Sequence, residues 1–328
     1  MPSAYCAFTL AGHRVESIGR VYQTVTLASH KIASMSSPLR ATSSAPASLG
    51  QPDALKAEAV ALLLPPEARH AFDVRVIDET GSTNSDLLRD AAQLPSGTVL
   101  AAGHQTAGRG RRGRAWVAPP GGSLAFSLLW KFTRGAAMLS GLSLSVGVAA
   151  ARALEKCGAP GVQLKWPNDL LAPKNGAPAK LGGILIELTG GTGGAGGNSG
   201  SSGHSGAALA VIGIGINLDL GGAADAIDQP VTDLAALGVR TSRNALLALL
   251  LETLLPVLRT FEQDGFAPLA DEWNRRHAFA NQAVVLSGEN MTAQDGIATG
   301  VDASGALLLD TSQGVVKIVS GEVSLRMR

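Results

Sequence analysis

A run of four arginines and three glycines at residues 108–116 contains the densest group of side chains able to do chemistry in this sequence. It reads Gly-Arg-Gly-Arg-Arg-Gly-Arg-Ala-Trp. Arginine carries a planar, permanent charge that suits phosphate and carboxylate oxygens, and glycine lets a backbone approach a ligand closely. The run therefore predicts a flexible loop that folds over an anion. A solvated basic loop and a nucleic-acid patch are the alternatives, because short basic motifs give many false matches.

Three consecutive polar residues, Ser82, Thr83 and Asn84, lie between a predicted strand and a predicted helix. Such residues cap helices, because their side-chain oxygens accept hydrogen bonds from the first free backbone N–H groups. Their hydroxyl and amide groups would also hold an uncharged polar head group of a ligand. Gln105, just before the arginine run, carries no signal by itself.

The stretch Lys165-Trp166-Pro167-Asn168-Asp169 gathers polar side chains where a short apolar strand ends. The strand must stop at Pro167, because proline cannot donate to the middle of a ladder. A surface ion pair between Lys165 and Asp169 is one interpretation, and such pairs contribute little stability. The other is a cation for phosphate beside a carboxylate for a metal ion or an incoming amine. Lys180, alone before an apolar strand, would be a solvated lysine.

The pattern Gly213-x-Gly215-x-Asn217 lies inside a predicted strand. It resembles part of a dinucleotide-binding fingerprint, but a third glycine and a following helix are missing, so we reject that interpretation. Glycine within a strand instead indicates close approach of a backbone or a ligand.

Composition excludes several classes of protein. The 328 residues are 45% hydrophobic and 16% charged, which is enough apolar material for a core, and the length favours two domains. A net charge of +1 and an aromatic content of 4% argue against a nucleic-acid binder. The two cysteines suggest no disulfide framework, which fits a reducing cytoplasm. No apolar run in the sequence reaches membrane-spanning length, and the N-terminus does not match a signal peptide.

The N-terminal fifth of the chain differs from the rest in composition and in hydrophobic pattern. Residues 1–50 are rich in Ser, Ala and Thr without periodicity, which predicts a disordered leader. A transit peptide and a translation start at Met35 are both open interpretations. Residues 51–72 predict a short helical segment, with a helix over 53–63 that Asp53 caps and Pro65-Pro66 stops.

The middle of the chain predicts alternating strands and helices. Periodicity favours helices over residues 85–92, 137–157, 242–263 and 268–277, and Pro256 predicts a kink or a break in the third of these. Strands are expected around residues 74–76, 98–102, 124–130, 162–166, 181–188 and 208–218. The last two flank a flexible Gly/Ser loop at 189–206 and are expected to pair as a hairpin. From residue 283 onward, five short strands predict a small barrel.

Taken in order, these motifs resemble the biotin–protein ligases over roughly residues 74–328. Ser-Thr-Asn, the arginine run, Lys-Trp-Pro-Asn-Asp, Lys-Leu-Gly-Gly-Ile-Leu-Ile-Glu and Gly-Ile-Gly-Ile-Asn follow one another as in that family. The resemblance implies an α+β fold: a mixed, mostly antiparallel sheet flanked by helices, of the class II synthetase-like kind, with a small C-terminal SH3-like β-barrel. It places a catalytic domain at residues 73–278 and the barrel at 279–328.

The resemblance also implies a reaction in two steps. Biotin and ATP, with Mg²⁺, would form biotinyl-5′-AMP, which then acylates a lysine of a biotin carboxyl carrier domain of acetyl-CoA carboxylase or a similar carboxylase. Positioned cations are the expected means of bringing a carboxylate and a phosphate together. The enzyme would be cytoplasmic, and the alternative activity is that of a lipoyl–protein ligase, whose members lack the arginine signature.

Site roles follow position by position from the resemblance. Lys180, Arg111, Asp169 and Arg109 are the expected catalytic residues, with Asp169 also the expected metal ligand and the group that orients or deprotonates the acceptor lysine. Ser82, Thr83, Gln105 and Gly183 match biotin contacts. The remaining ligand-binding residues are expected to be Asn84, Gly108, Gly110, Arg112, Gly113, Arg114, Trp116, Lys165, Asn168, Gly213, Gly215, Asn217 and Arg326.

Two departures from the family are informative. Gln229-Pro230-Val231-Thr232 stands where many relatives carry a tryptophan near the adenine. Residues 1–50 leave no room for the winged helix through which some members repress an operon, which predicts a monofunctional ligase with no DNA partner. The family often dimerises through its sheet, so a homodimer is one option for this chain.

Overall fold

Two β-sheets and the helices packed on them make up the described part of the chain. The structure is a computed structural model that describes residues 54–133, 135–189, 207–288, 291–319 and 323–327. The predicted leader at 1–50, Asp53 as a cap and nearly all of the predicted Gly/Ser loop, residues 190–206, lie outside the described residues.

The larger sheet has seven strands in the order β1-β2-β5-β9-β8-β7-β6. These strands are β1 (Asp73–Thr80), β2 (Thr98–Gln105), β5 (Ser123–Phe132), β6 (Gln163–Lys165), β7 (Asp169–Lys174), β8 (Ala177–Thr189) and β9 (Ala208–Asn217). β1 and β2 are parallel, and every other pair is antiparallel. The expectation of a mixed, mostly antiparallel sheet flanked by helices is confirmed.

The centre of this sheet is the antiparallel trio β5, β9 and β8. β8 and β9 pair over eight positions, from Gly182↔Ile216 to Thr189↔Leu209, so the predicted hairpin is confirmed. Phe126, Leu128 and Ile212 point into the core and are at most 1% exposed. β7 was not predicted: its sequence, Asp-Leu-Leu-Ala-Pro-Lys, is short, and its proline and the nearby turn hide the alternation.

The core on one face of the sheet is filled by two antiparallel helices, α4 (Leu142–Lys156) and α5 (Arg243–Asp264). The prediction started the first of these too early: residues 136–139 form a 3₁₀ turn, and Gly141 at φ 80° resets the chain before α4 begins. Of the kink or break expected at Pro256, the break is wrong, since α5 is continuous through this residue. Packing of the apolar stripe outweighs the hydrogen bond that proline removes.

Length and composition would let α5 cross a membrane, but 67% of its most apolar stretch is buried inside the molecule, as in the core helix of a globular protein. The N-terminal helices α1 (Ala57–Leu63) and α2 (Pro66–Ala71) pack against α5 and bury part of it. One helix was predicted here, with Pro65-Pro66 as its stop. Pro66 in fact starts the second helix, because proline fits the first helical position, where its missing N–H is not needed.

The smaller sheet has five antiparallel strands in the order β13-β12-β11-β10-β14. They are β10 (Gln282–Gly288), β11 (Met291–Val301), β12 (Leu307–Thr311), β13 (Gly314–Ile318) and β14 (Val323–Met327). The five predicted strands are confirmed in number and order. A short helix, α6 (Ala270–Arg275), precedes them, inside the predicted 268–277 range.

The two sheets are joined by specific contacts beside the Lys165–Asp169 stretch. The Trp166 indole N–H donates to the Gly305 carbonyl at 3.2 Å, and the Ser140 hydroxyl donates to Ser304 O at 3.0 Å. Gly305 lies against Gly141: a Cβ added to Gly305 would be 2.9 Å from the Gly141 Cα. The turn between β11 and β12 therefore supports the loop at the end of β6.

Candidate active site

A cavity of about 130 Å³ opens above the centre of the larger sheet. Most of the predicted site residues line it: Ser82, Thr83, Asn84, Gln105, Arg109, Gly110, Arg111, Arg112, Arg114, Trp116, Lys165, Asn168, Asp169, Lys180, Gly183, Gly213 and Gly215. Segments more than a hundred residues apart in sequence therefore meet at one place. Leu325 of β14 also reaches it, so the smaller sheet contributes to the wall.

The floor of the cavity is made of glycines because side chains would fill it. Two rows of residues cross the sheet side by side. In one, Ser127, Gly213 and Leu185 pair across β5, β9 and β8; in the other, Gly183 pairs with both Gly215 and Asp169 across β8, β9 and β7. A Cβ on Gly213 would be 2.3 Å from Asn84 Oδ1. Close approach is found at Gly213 and Gly215, but the groups that approach are the side chains of Asn84 and Trp116, where a backbone or a ligand was predicted.

The arginine run forms a tight hairpin over this floor. Its base is the two-residue pair β3 (Gly108–Arg109) and β4 (Ala115–Trp116), and Gly110 N–H donates to Arg114 O at 2.7 Å. The Trp116 indole lies on the floor: a Cβ on Gly215 would be 2.6 Å from its Cε2 atom, and one on Gly183 would be 3.6 Å from Cζ3. The hairpin therefore roofs the cavity and is held down by its tryptophan.

One end of the cavity presents neutral polar groups. The Thr83 backbone N–H donates to Gln105 Oε1 at 2.8 Å, and the hydroxyls of Thr83 and Ser127 are 2.7 Å apart. Ser127 donates to Asn84 Oδ1 at 2.5 Å. Ser82 caps helix α3 (Thr83–Asp90) by accepting from Ser85 N at 3.5 Å, so the capping interpretation holds for it.

A carboxylate outside this neutral group connects it to the arginine hairpin. Glu187 of β8 accepts from Asn84 Nδ2 at 3.0 Å and from Arg109 Nη2 at 2.7 Å. Arg109 also donates to Ser85 Oγ at 3.2 Å. Neither Glu187 nor Ser127 was predicted, although the alternation along β5 places Ser127 on the face opposite Phe126 and Leu128.

The other end of the cavity is charged. Asp169 lies between two ammonium groups, with Lys180 Nζ 2.6 Å from Oδ1 and Lys165 Nζ 3.0 Å from Oδ2. The side chains of all three residues are less than 20% exposed. Burial raises the pKa of Asp169, but Lys180 and Lys165 outweigh burial and hold that pKa below its ordinary value of 3.8. Asp169 is therefore a stable anion, and this end of the cavity keeps a net positive charge.

The arginine hairpin reaches this charged end through Asn168. Arg111 Nη1 donates to Asn168 Oδ1 at 3.4 Å, and Asn168 Nδ2 donates to Ile184 O at 2.7 Å. The Trp166–Pro167 peptide bond is cis, and the Ser143 hydroxyl donates to Pro167 O at 3.1 Å. The loop that carries Asn168 and Asp169 is thus tied to α4 and β8.

Four predicted site residues do not line the cavity. Gly108 and Gly113 belong to the hairpin backbone, where Gly113 has φ 67°. Asn217 is buried and donates to the backbone oxygens of Lys180 and Thr232, at 3.3 and 3.0 Å, so it supports the strand that carries the lysine. Arg326 is exposed on β14, next to the cavity-lining Leu325. Gln229 does line the cavity, in the segment that departs from the family.

The residues present do not fit a magnesium ion held by the protein. Each oxygen of Asp169 is already paired with an ammonium group, so direct coordination would displace a lysine. Across the described ranges, no group of three or more His, Cys, Asp or Glu side chains is placed to hold a metal ion. Mg²⁺ in nucleotide sites usually depends on one or two carboxylates plus the substrate phosphates. No step below is routed through the metal.

Comparison with known proteins agrees with this geometry. The family model "Biotin/lipoate A/B protein ligase family" matches residues 74–201, and "Biotin protein ligase C terminal domain" matches residues 279–326. The bifunctional ligase/repressor BirA of Escherichia coli is 40% identical over 256 residues, which cover 77% of this chain and 74% of that protein. The biotin--[acetyl-CoA-carboxylase] ligase of Paracoccus denitrificans is 32% identical, over 76% of this chain and 98% of that protein.

Solved structures give the same answer for the fold. A biotin protein ligase from Aquifex aeolicus in complex with biotin and ATP has a TM-score of 0.63 at 27% identity, covering 78% of this chain and 99% of that chain. The chain therefore belongs to the biotin/lipoate A/B protein ligase family, and the enzyme predicted from its motifs, a biotin–protein ligase, is confirmed.

Proposed function

We propose that this chain joins biotin to a lysine of the biotin carboxyl carrier domain of acetyl-CoA carboxylase, using ATP and passing through biotinyl-5′-AMP. One observation supports this most strongly: the cavity changes from neutral polar groups at Asn84 and Thr83, over a glycine floor, to cations at Lys180 and Lys165. Biotin has the same order, with a cyclic urea at one end, an apolar ring and chain in the middle, and a carboxylate at the other.

The neutral end suits the urea because it offers hydrogen-bond donors and acceptors without charge. Gln105 and Thr83 lie there at the wall of the cavity, fixed by their bond to each other. The Trp116 ring, which lies on the glycine floor, gives the middle of the ligand a flat apolar surface. Pockets of this kind, largely apolar with a few fixed polar groups, are typical of small-molecule sites.

In the first step a carboxylate must approach an α-phosphate, and these two anions repel each other. The charged end of the cavity can offset this repulsion. Lys180, Lys165 and the arginine hairpin place fixed positive charge where the two anions come together. Cations that need no reorganisation lower the barrier both by orientation and by stabilising the charge that develops. The biotin carboxylate attacks the α-phosphorus and pyrophosphate leaves, which gives the mixed anhydride.

Asp169 acts in this scheme as a positioning group. It holds both ammonium groups in place, and its lowered pKa makes it a weak proton acceptor. Of the two roles expected for it, orientation of the amine that attacks biotinyl-5′-AMP is therefore the better supported. The attacking lysine of the carrier must arrive neutral, since an ammonium has no lone pair to form the amide.

The division into domains follows the two sheets. The catalytic domain spans residues 73–278 and the C-terminal domain residues 279–328, which is consistent with a second sheet that starts at Gln282. Residues 54–72 cover α5 through Val60, Leu64 and Ala68, which are buried. The enzyme works in the cytoplasm, and a homodimer is compatible with this assignment.

Labelling of a purified apo-carrier domain tests the proposed function. The chain is incubated with ATP and either biotin or lipoate, and the carrier is analysed by intact mass. We expect biotin to be attached to one lysine and lipoate to be ignored. Attachment of lipoate without biotin would instead make the chain a lipoyl–protein ligase.

We also propose that the chain acts only as a ligase and does not bind an operator. The Ser/Ala/Thr-rich composition of residues 1–50 supports this, and so does the alignment that covers 98% of the Paracoccus ligase. A mobility-shift experiment with a biotin-operon operator, in the presence of biotin and ATP at moderate salt, decides the matter. No shift is expected, and a specific shift would overturn the monofunctional assignment.

A further inference from the structure

Glu187 is a charged side chain next to the cavity for which the sequence predicts no role. It lies on β8 and is 22% exposed, and each of its two carboxylate oxygens is used. Oε1 accepts from Arg109 Nη2 at 2.7 Å, and Oε2 accepts from Asn84 Nδ2 at 3.0 Å. One residue thus contacts both the arginine hairpin and the wall of the neutral end.

The chemistry of a carboxylate fixes the direction of the hydrogen bonds that start from it. An ionised carboxylate only accepts, and so does the Leu185 carbonyl, which is 3.3 Å from Asn84 Nδ2. Asn84 must therefore turn its NH₂ group towards Glu187 and its Oδ1 towards Ser127. The Ser127 hydroxyl then has to donate to Asn84, at 2.5 Å.

The order of donors and acceptors that Glu187 sets continues from Ser127 to Thr83, at the wall that faces the ligand. Because the single proton of Ser127 is used, the single proton of Thr83 goes to one of two protein oxygens, Ser127 Oγ at 2.7 Å or Gln105 Oε1 at 3.0 Å. The Thr83 hydroxyl is then left with lone pairs and can only accept from a ligand. Gln105 Oε1 is held by Thr83 N–H at 2.8 Å, so its NH₂ group remains as a donor. An acceptor beside a donor is the complement of a urea, which carries N–H groups beside a carbonyl.

The other carboxylate oxygen of Glu187, Oε1, accepts from Arg109 of the arginine hairpin. Arg109 stands at the base of the hairpin, and its guanidinium joins Glu187 on β8 to Ser85 on α3. We propose that Glu187 is a positioning residue for the ligase reaction: it orients the Asn84–Ser127–Thr83 hydrogen bonds for the urea and fastens the arginine hairpin over the bound ligand. This inference rests on the proposed function, because it assigns the urea to the neutral end.

The substitution Glu187→Gln tests whether Glu187 acts through its two hydrogen-bond acceptors or only through packing. The glutamine side chain has nearly the same shape, but it has one acceptor and one donor in place of two acceptors. One of the two contacts, with Arg109 or with Asn84, then becomes a donor facing a donor. Aspartate keeps two acceptors on a shorter side chain, so it should be less harmful than glutamine if the acceptors matter.

The experiment compares Glu187→Gln, Glu187→Asp and Glu187→Ala with a matched control, Glu252→Gln, whose glutamate pairs with Lys156 on the exposed surface. Initial rates of pyrophosphate release against biotin concentration give KM and kcat, and a chase gives the rate at which biotinyl-5′-AMP is lost. For Gln and Ala we expect KM for biotin to rise about tenfold, as for a lost charge-assisted hydrogen bond, with kcat changed less than about twofold and faster loss of the adenylate.

Several outcomes would overturn the inference: Glu187→Gln with the KM and adenylate retention of the wild type, Asp more harmful than Gln, or an effect on kcat alone. Thermal unfolding of each variant checks the fold. If the glutamine variant does not fold, Glu187→Asp decides, since a wild-type-like KM supports the role of the acceptors and a KM as high as that of Glu187→Ala contradicts it. If the wild type itself does not form biotinyl-5′-AMP, the proposed function fails, which is a separate result.

Discussion

At the scale of single residues, the most constrained group of the site is Asp169 between Lys165 and Lys180. A buried carboxylate is costly unless it is paired, and here two ammonium groups pair with it. Removing its charge would leave two buried cations facing each other. Breaking such a set by removing one partner costs far more than the set itself contributes.

Asp169→Asn should therefore lose both activity and stability at neutral pH. We expect kcat/KM for pyrophosphate release to fall at least about tenfold, since Lys165 and Lys180 lose the group that positions them. Because the folded-state pKa of Asp169 is lowered, its contribution to stability is present above the ordinary value of 3.8 and is lost as pH falls through the folded-state pKa. Urea unfolding of both proteins should show a difference that shrinks below about pH 4.

The exposed carboxylate of Asp310 provides the control, and Asp310→Asn should match the wild type in both measurements. An Asp169→Asn protein with normal activity, or a stability difference that does not depend on pH, would contradict the account of this ion triad.

The resemblance carried by the order of the motifs pointed to Asp169, Lys165 and Lys180, although each of these residues alone is a weak signal. The sequence did not identify Ser127 or Glu187. Ser127 sits among the apolar residues in the middle of β5, and its partners Thr83 and Asn84 are more than forty residues away. Their role depends on which strands become neighbours, and sequence periodicity does not specify that.

At the scale of elements, the glycines of β9 act together with the arginine hairpin. Gly215→Ala would place a methyl group about 2.6 Å from the Trp116 ring, so the ring and the hairpin must move. We expect a higher KM for biotin and a loss of about 1–3 kcal/mol in unfolding free energy, the usual cost of overpacking. Gly222→Ala is the matched control, because a methyl group there meets no atom within 4 Å. Equal KM values for the two variants would show that Trp116 does not depend on this floor.

Another element-level feature is His277, in the segment that follows α6. Its side chain is buried against Trp273, with ring centroids 4.9 Å apart, and neither ring nitrogen has a hydrogen-bond partner in the described part of the chain. Burial lowers the pKa of His277 from 6.5 to about 4. Between these values the unfolded chain takes up a proton that the folded protein does not, so this histidine destabilises the fold as pH falls.

His277→Phe should remove that dependence. Relative to this variant, the wild type is expected to lose roughly 3 kcal/mol of unfolding free energy between about pH 7 and pH 4. Denaturant unfolding at several pH values measures it. Parallel curves for the two proteins would mean that His277 has a polar partner or is protonated in the folded state.

The elements themselves were largely predictable where periodicity is long, as in α5, β8 and β9. The errors have local causes. Pro66 looked like a stop and is a start, while Pro256, itself exposed, is tolerated because its apolar neighbours on α5 are buried. The short β7 was hidden by its proline and by the turn before it.

At the scale of the whole molecule, the cavity is a product of both sheets. The larger sheet supplies the floor and both ends, while the smaller one supplies Leu325 and the Gly305 carbonyl that holds Trp166. The loop with Asn168 and Asp169 is thus supported from the C-terminal part of the chain. Such long-range closure could be expected from the family resemblance but not from the residues alone.

The central claim is that one cavity binds biotin at its neutral end and activates the carboxylate at its charged end. ATP–pyrophosphate exchange without any carrier measures this step alone. The account predicts exchange that requires biotin, is absent with lipoate, and falls strongly in Lys180→Ala. Exchange that proceeds equally with lipoate or without biotin, or none with biotin, would contradict it.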